Sequence, residues 1–382
     1  MRPVFLMVIF STLVISSSSC RSRGDGDSEE AALPACTDSD LFSVQPVPTS
    51  AISYLAPIGT LAPVGGSPLP KAHTGFMLNS SNVPVTAPGN LIIKSVREVT
   101  YVTSPTRPGY TDYAVYFDVC REVGGHLGHL SSLDPAISSQ LGTLTCSEYS
   151  TVDETVRNCE VRVNISVSAG STLGTTGTPP HSPAMDIGMR DSRVSDYVNP
   201  SRYGNPSSGT LCPWSWFSEP IRSQLESKIG DGATFTTESP KCGTMQVDLT
   251  GTARGRWTLE SSPANGTDPT ASDFFVLARD PYAGETKAVI STRIAALNPS
   301  ALVKFTLQTT GKLNAAPENI SADGSIYCYD SNLGTSTYSF LVQLISEGRL
   351  RVEKKTHAAG TSVCNSAPSA WAFSGAAVYL IR

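Results

Sequence analysis

Short runs in which apolar and polar residues alternate one for one recur along most of the chain, and few stretches repeat every three or four residues. Tyr113, Val115, Phe117 and Val119 fall on one face of an extended segment, with Ala114, Tyr116, Asp118 and Cys120 on the other. Val161, Val163, Ile165 and Val167 repeat the pattern, and Leu91-Ile92-Ile93 with Val96 follows the turn signal Ala87-Pro88-Gly89-Asn90. One helix is predicted: Pro220 opens it, Ile221, Leu225 and Ile229 form its stripe, and Gly230 follows its last turn. Beyond a Gly/Thr/Ser-rich linker over 231–242, eight strands are predicted: 255–259, 274–277, 288–291, 303–309, 325–329, 338–345, 350–355 and 378–381. Gly, Pro or Asn clusters separate most of them, as in an antiparallel sandwich or barrel. The expected fold is mainly β: a sheet domain with a closing helix over 36–231, then an antiparallel β domain over 243–382.

Composition narrows the function. With 382 residues, 40% hydrophobic and 16% charged, the chain can bury a core and is not mainly disordered. A net charge of −5 with no basic cluster beyond the extreme N-terminus excludes nucleic acid as an expected partner. Arg2 precedes the apolar run Val4 to Phe10, which continues through Leu13-Val14-Ile15 and is too short to cross a bilayer as a helix. It ends in Ser17-Ser18-Ser19-Cys20, which resembles a bacterial lipoprotein signal apart from Ser17, where such signals usually carry Leu. The resemblance implies a signal peptide over 1–20, a lipid on Cys20, a flexible tether over 21–35, and a membrane-anchored protein in the periplasm or at the cell surface. Secretion with cleavage near the same serines is the alternative. The other cysteines, at 36, 120, 146, 159, 212, 242, 328 and 364, form an even set that in an exported chain predicts disulfides. Proximity suggests Cys146 with Cys159 and Cys328 with Cys364. The absence of any Cys-x-x-Cys pair argues against a thiolate zinc site.

Four of the five histidines lie in one half of the chain. HTGFM begins at His73, VPVTAPGNLII at Val83, LGHLSSL ends at Leu133, and AMDIG begins at Ala184. In that order these segments resemble the lysostaphin-like peptidoglycan endopeptidases, zinc enzymes built on a β-sheet core, over about residues 50 to 225. The resemblance makes His73 the first metal ligand and Asp186 the third, and His129 a catalytic histidine that polarises water. It also puts Met77 at the second ligand position, where a thioether is a poor partner for zinc, and Ala184 where the other catalytic histidine would stand.

Two ligands of three imply a degenerate site with no cofactor expected, and zinc only if the domain is active. Asp186, on a strand expected to be buried, needs a partner: His73, His129, Arg190 or Arg193. His126 is read as a solvated loop residue, His181 as a remote substitute for the missing histidine, and His357 as an exposed loop residue. Trp214, Trp216 and Phe217 are read as core rather than as a sugar platform. The expected function is that of an inactive peptidase-like envelope lipoprotein that binds or scaffolds peptidoglycan or another envelope protein. The alternatives are an active zinc endopeptidase with a rearranged ligand set, and a surface adhesin or ligand carrier. The last would act through the C-terminal domain, whose Gly255-Arg256-Trp257 resembles the opening of lipocalin-like barrels.

Overall fold

Alternation in the sequence becomes alternation across two antiparallel sheets, so the protein is mainly β. The computed structural model describes residues 33–36, 40–61, 69–105, 108–150, 154–177, 183–199, 208–237, 241–261, 273–299, 302–331 and 335–382. Cys20 with the signal segment, most of the tether, and His181 lie outside them. Residues 34–382 form one compact unit that holds both sheets.

The first sheet contains β1 (Ile52–Ala56), β2 (Thr74–Leu78), β3 (Val83–Thr86), β4 (Leu91–Thr103), β5 (Thr111–Asp118), β6 (Val123–Leu133), β7 (Thr145–Ser150), β8 (Thr155–Val167), β9 (Thr172–Thr176), β10 (Ala184–Ser195) and β11 (Ser208–Leu211). Its order is β1-β2-β10-β6-β5-β4-β8-β7; β11 pairs with β10, and β9 joins β3 to β6. Every residue of the edge strand β7 is exposed, and Cys146 is bonded to Cys159, its register partner on β8. The inner face packs Phe76, Ile93, Val115, Phe117, Leu127 and Ile187 against Trp214, Trp216 and Phe217, so the aromatics are core.

Helix α1 is a single turn (Pro135–Ser138) in which the Asp134 carboxylate accepts from the Ala136 amide. Helix α2 (Ile221–Glu226) is shorter than its apolar stripe predicts. Ile229 and Gly230 leave the helical path to bridge Leu55 and Phe235, because a strand partner satisfies their backbone groups where a short helix gains little.

The second sheet contains β12 (Gly255–Leu259), β13 (Phe274–Arg279), β14 (Lys287–Thr292), β15 (Val303–Thr306), β16 (Tyr327–Tyr329), β17 (Tyr338–Ser346), β18 (Arg349–Thr356) and β19 (Val378–Ile381). These are the eight strands the pattern predicts, with ends shifted by a few residues. First strand pairs with last, β12 with β19, so the meander curls toward a barrel. Its interior is filled by Trp257, Phe275, Leu277, Phe305, Phe340 and Val352. Arg382, at the end of the chain, lies 4.4 Å above the Trp257 ring and donates to the carbonyls of Leu249, Thr252 and Arg254. Four disulfides, Cys36–Cys120, Cys146–Cys159, Cys212–Cys242 and Cys328–Cys364, assign the folded part to an oxidising, extracytoplasmic compartment. No described helix is long and apolar enough to cross a membrane.

The sheets meet at a buried ion pair. Asp248 Oδ1 accepts the Arg256 amide at 2.7 Å and lies 3.5 Å from its Nε, both side chains being at most 2% exposed. The guanidinium also donates to the Asp196 carbonyl and stacks 3.8 Å from the Tyr197 ring centre, so β12 of the second sheet grips the segment following β10 of the first. Replacing Asp248 with Ala strands this guanidinium, and denaturant unfolding should show a loss of about 3–5 kcal/mol.

Candidate functional site

The outer face of the first sheet gathers the site. On β10 the pleat sends Met185, Ile187 and Met189 into the core and leaves Ala184, Asp186 and Gly188 on the other side. Asp186 faces Gly75 on β2 and Gly128 on β6, so neither neighbour crowds its carboxylate. His73 stands one residue before β2.

β6 breaks the simple alternation. Tyr113 pairs with Leu130 and Val115 with Leu127, so three steps on β6 oppose two on β5, and His129 takes φ 61°. This bulge turns His129 outward beside Asp186 and sends Leu130 into the core. Asp112, on β5 with the same parity as Ala114 and Tyr116, arrives from the opposite side.

The resulting contacts form a relay. His129 holds Asp112 Oδ2 at 2.6 Å through Nδ1 and Asp186 Oδ2 at 2.9 Å through Nε2. His73 Nε2 approaches the same Asp186 oxygen at 3.3 Å. The His126 ring meets that of His73 edge-on with centres 5.9 Å apart and lies 5.6 Å from the Tyr116 ring. His73, His126, His129, Asp112 and Asp186 line a cleft of about 230 Å³, together with Arg97, Val99, Tyr101, Ala114 and Gly128.

Burial and pairing set different protonation states in neighbouring imidazoles. Burial disfavours charge on His129, but hydrogen bonds to Asp112 and Asp186 and the fields of both carboxylates outweigh it and lift its pKa to about 10. Asp186 is pushed up by its own burial and more strongly down by His129, His73 and His126, to about 2. His126 falls to about 4, first through burial and then through the positive fields of His73 and Arg97, so it is neutral at pH 7. Burial lowers His73 as well, against the pull of Asp186.

The structure brings His73, His129 and Asp186 together; Arg193 pairs with Asp191 instead. Two expectations are corrected. His126 and His129 lie on strand β6, not in a loop, and His126 is a half-buried member of the cleft rather than a solvated residue. Met77 pairs with Ala184, and its methyl group lies 3.1 Å from where a Cβ on Gly75 would stand, a point itself 3.6 Å from Asp186 Oδ1. The thioether and the carboxylate thus flank Gly75 together. His357 is half-buried just past β18, far from any role in this cleft. Asp112, Arg97 and Tyr116 were not singled out by sequence reasoning; strand parity with Ala114 was the available signal for Asp112 and Tyr116.

The residues that the resemblance would make zinc ligands pair with one another here. Both imidazole nitrogens converge on one oxygen of Asp186, a thioether occupies the second ligand position, and no group of three or more His, Cys, Asp or Glu among the described residues is arranged to hold a metal ion. No family model, no curated protein and no solved structure matches the chain.

Two outcomes test this geometry. A raised pKa stabilises the fold fully below the unfolded value of 6.5 and ceases to do so as pH climbs through about 10. The stability difference between the native chain and His129→Gln, measured by denaturation, should therefore be widest near pH 6 and shrink steadily toward pH 10. At Gly188 a Cβ would lie 2.2 Å from His126 Cε1, so Gly188→Ala must drive the ring out of its place. Histidine titration by NMR should then show the pKa near 4 moving toward 6.5.

Proposed function

We propose that the protein is a lipid-anchored envelope protein, held through Cys20, whose lysostaphin-like sheet binds rather than cleaves, with peptidoglycan or another envelope protein as its partner. The observation that carries this reading is the closed pairing of Asp186 with His73 and His129 beside Met77. The groups that would have to present free electron pairs to an ion are spent on one another. The exported setting agrees with the four disulfides.

One contact favours the rival reading, an active zinc peptidase with a rearranged ligand set. Asp112 on His129 Nδ1 is the kind of carboxylate that orients a metal-binding imidazole. Ligand carriage by the second sheet draws no such support, because its interior is filled with side chains.

The test uses the full chain in detergent, incubated with purified peptidoglycan sacculi and assayed for bound metal. The expected result is co-sedimentation with the sacculi, no release of soluble fragments and substoichiometric zinc. Stoichiometric zinc that disappears in His73→Ala, accompanied by fragment release, would overturn the proposal in favour of the peptidase.

A further inference from the structure

The relay leaves a charged group of the cleft unused. The Arg97 side chain makes no hydrogen bond and no ion pair among the described residues, its Nε is buried from solvent, and its guanidinium carbon stands 5.6 Å from the Tyr116 ring centre. A buried donor without an acceptor is unfavourable, and folded proteins complete nearly all of theirs. Because a guanidinium stays charged at any ordinary pH, what completes it should be an anion.

The space beside it has a defined shape. Arg97 pairs with Ala114 across β4 and β5, while Asp186 pairs with Gly128 across β10 and β6. Ala114 and Gly128 thus form a low floor between the cation at one end and the His–Asp relay at the other. Val99 and Tyr101 follow Arg97 at alternate positions on β4 and line the same cleft, giving it an apolar flank. We propose that Arg97 is the anion-binding residue of this cleft, and that its ligand presents a free planar carboxylate beside an apolar group that meets Val99 and Tyr101. A planar carboxylate matches the guanidinium fork with two parallel hydrogen bonds. A phosphate dianion matches it less well, because Asp112 and Asp186 already place two carboxylates in the cleft. The inference rests on the reading of this cleft as a binding site.

The test measures binding of Nα-acetyl-alanyl-alanine, its C-terminal amide and inorganic phosphate to the full chain by isothermal titration calorimetry at pH 7. The acid should bind, with the amide and phosphate each weaker by about tenfold or more. Arg97→Gln should weaken the acid by a similar factor and leave the amide unchanged. Arg97→Lys, which keeps charge but loses the fork, should fall between and guards against a folding defect in the first variant. Gly128→Ala should also weaken the acid: its Cβ would sit 3.7 Å from Asp186 and 3.9 Å from His126, ordinary contacts that raise the floor without a clash.

Equal binding of acid and amide, tighter binding of phosphate, unaltered affinity in Arg97→Gln, or no binding of the acid at about 10 mM would each overturn the proposal. Failure here is separable from failure of the functional reading. Sacculi that still pellet the protein while acid and amide bind alike refute only the carboxylate claim. An acid-selective cleft in a protein that ignores sacculi refutes only the choice of partner.

Discussion

A carboxylate held on a sheet face with little water must be matched by positive charge or by hydrogen bonds, and at Asp186 both come from imidazoles, His129 on β6 and His73 just before β2. The arrangement has a chain of requirements. His129 reaches the carboxylate only because β6 carries a bulge, the bulge is tolerable only because Leu130 then enters the core, and Asp112 secures the far nitrogen of the same ring. The β5–β6 hairpin and β10, remote from it in sequence, are thereby tied together by one shared oxygen and one shared ring. The charge pattern follows from position. His129 lies between two carboxylates and keeps its proton, whereas His126, pressed against Tyr116 and near Arg97, gives its proton up.

A second buried charge performs a comparable task at the boundary between the sheets. Arg256 belongs to the first strand of the second sheet, yet its guanidinium is satisfied by Asp248 and by the backbone at Asp196, beyond the end of β10. Such a pair adds little to stability compared with apolar packing of equal volume, but it discriminates sharply against misplaced neighbours, since any shift leaves an uncompensated charge. The direction in which the second sheet leaves the first is therefore specified chemically as well as by shape.

Much of the fold was legible because the two sheets rest on period-two patterns punctuated by Gly, Pro and Asn. The eight strands after residue 243 are the clearest instance. The helix was over-read, since Ile229 continues an apolar stripe but finds its partner on β1. Of the site, His73, His129 and Asp186 were readable as a series, whereas His126 was misplaced for an instructive reason. Gly124, Gly125 and Gly128 look like a loop around it. In the fold they mark close approach inside a strand: a Cβ at Gly125 would lie 2.4 Å from the Gly188 carbonyl, and one at Gly188 would enter the His126 ring. The bulge hides His129 in a similar way, because counting by twos from His126 puts it on the core side. Arg97 was invisible in the sequence, where nothing distinguishes it from a solvated strand arginine.

The disulfide between β7 and β8 has a consequence for how the molecule survives in an oxidising compartment. β7 has no packed face to hold it, so its attachment depends on the hydrogen-bond ladder and on the bond between Cys146 and Cys159. Were that bond reduced, the ribbon would be free to peel away, and the long backbone edge of β8 would lie open to any passing strand. The cystine thus serves as a guard against self-association: the sheet's most vulnerable margin stays covered only while the surroundings remain oxidising.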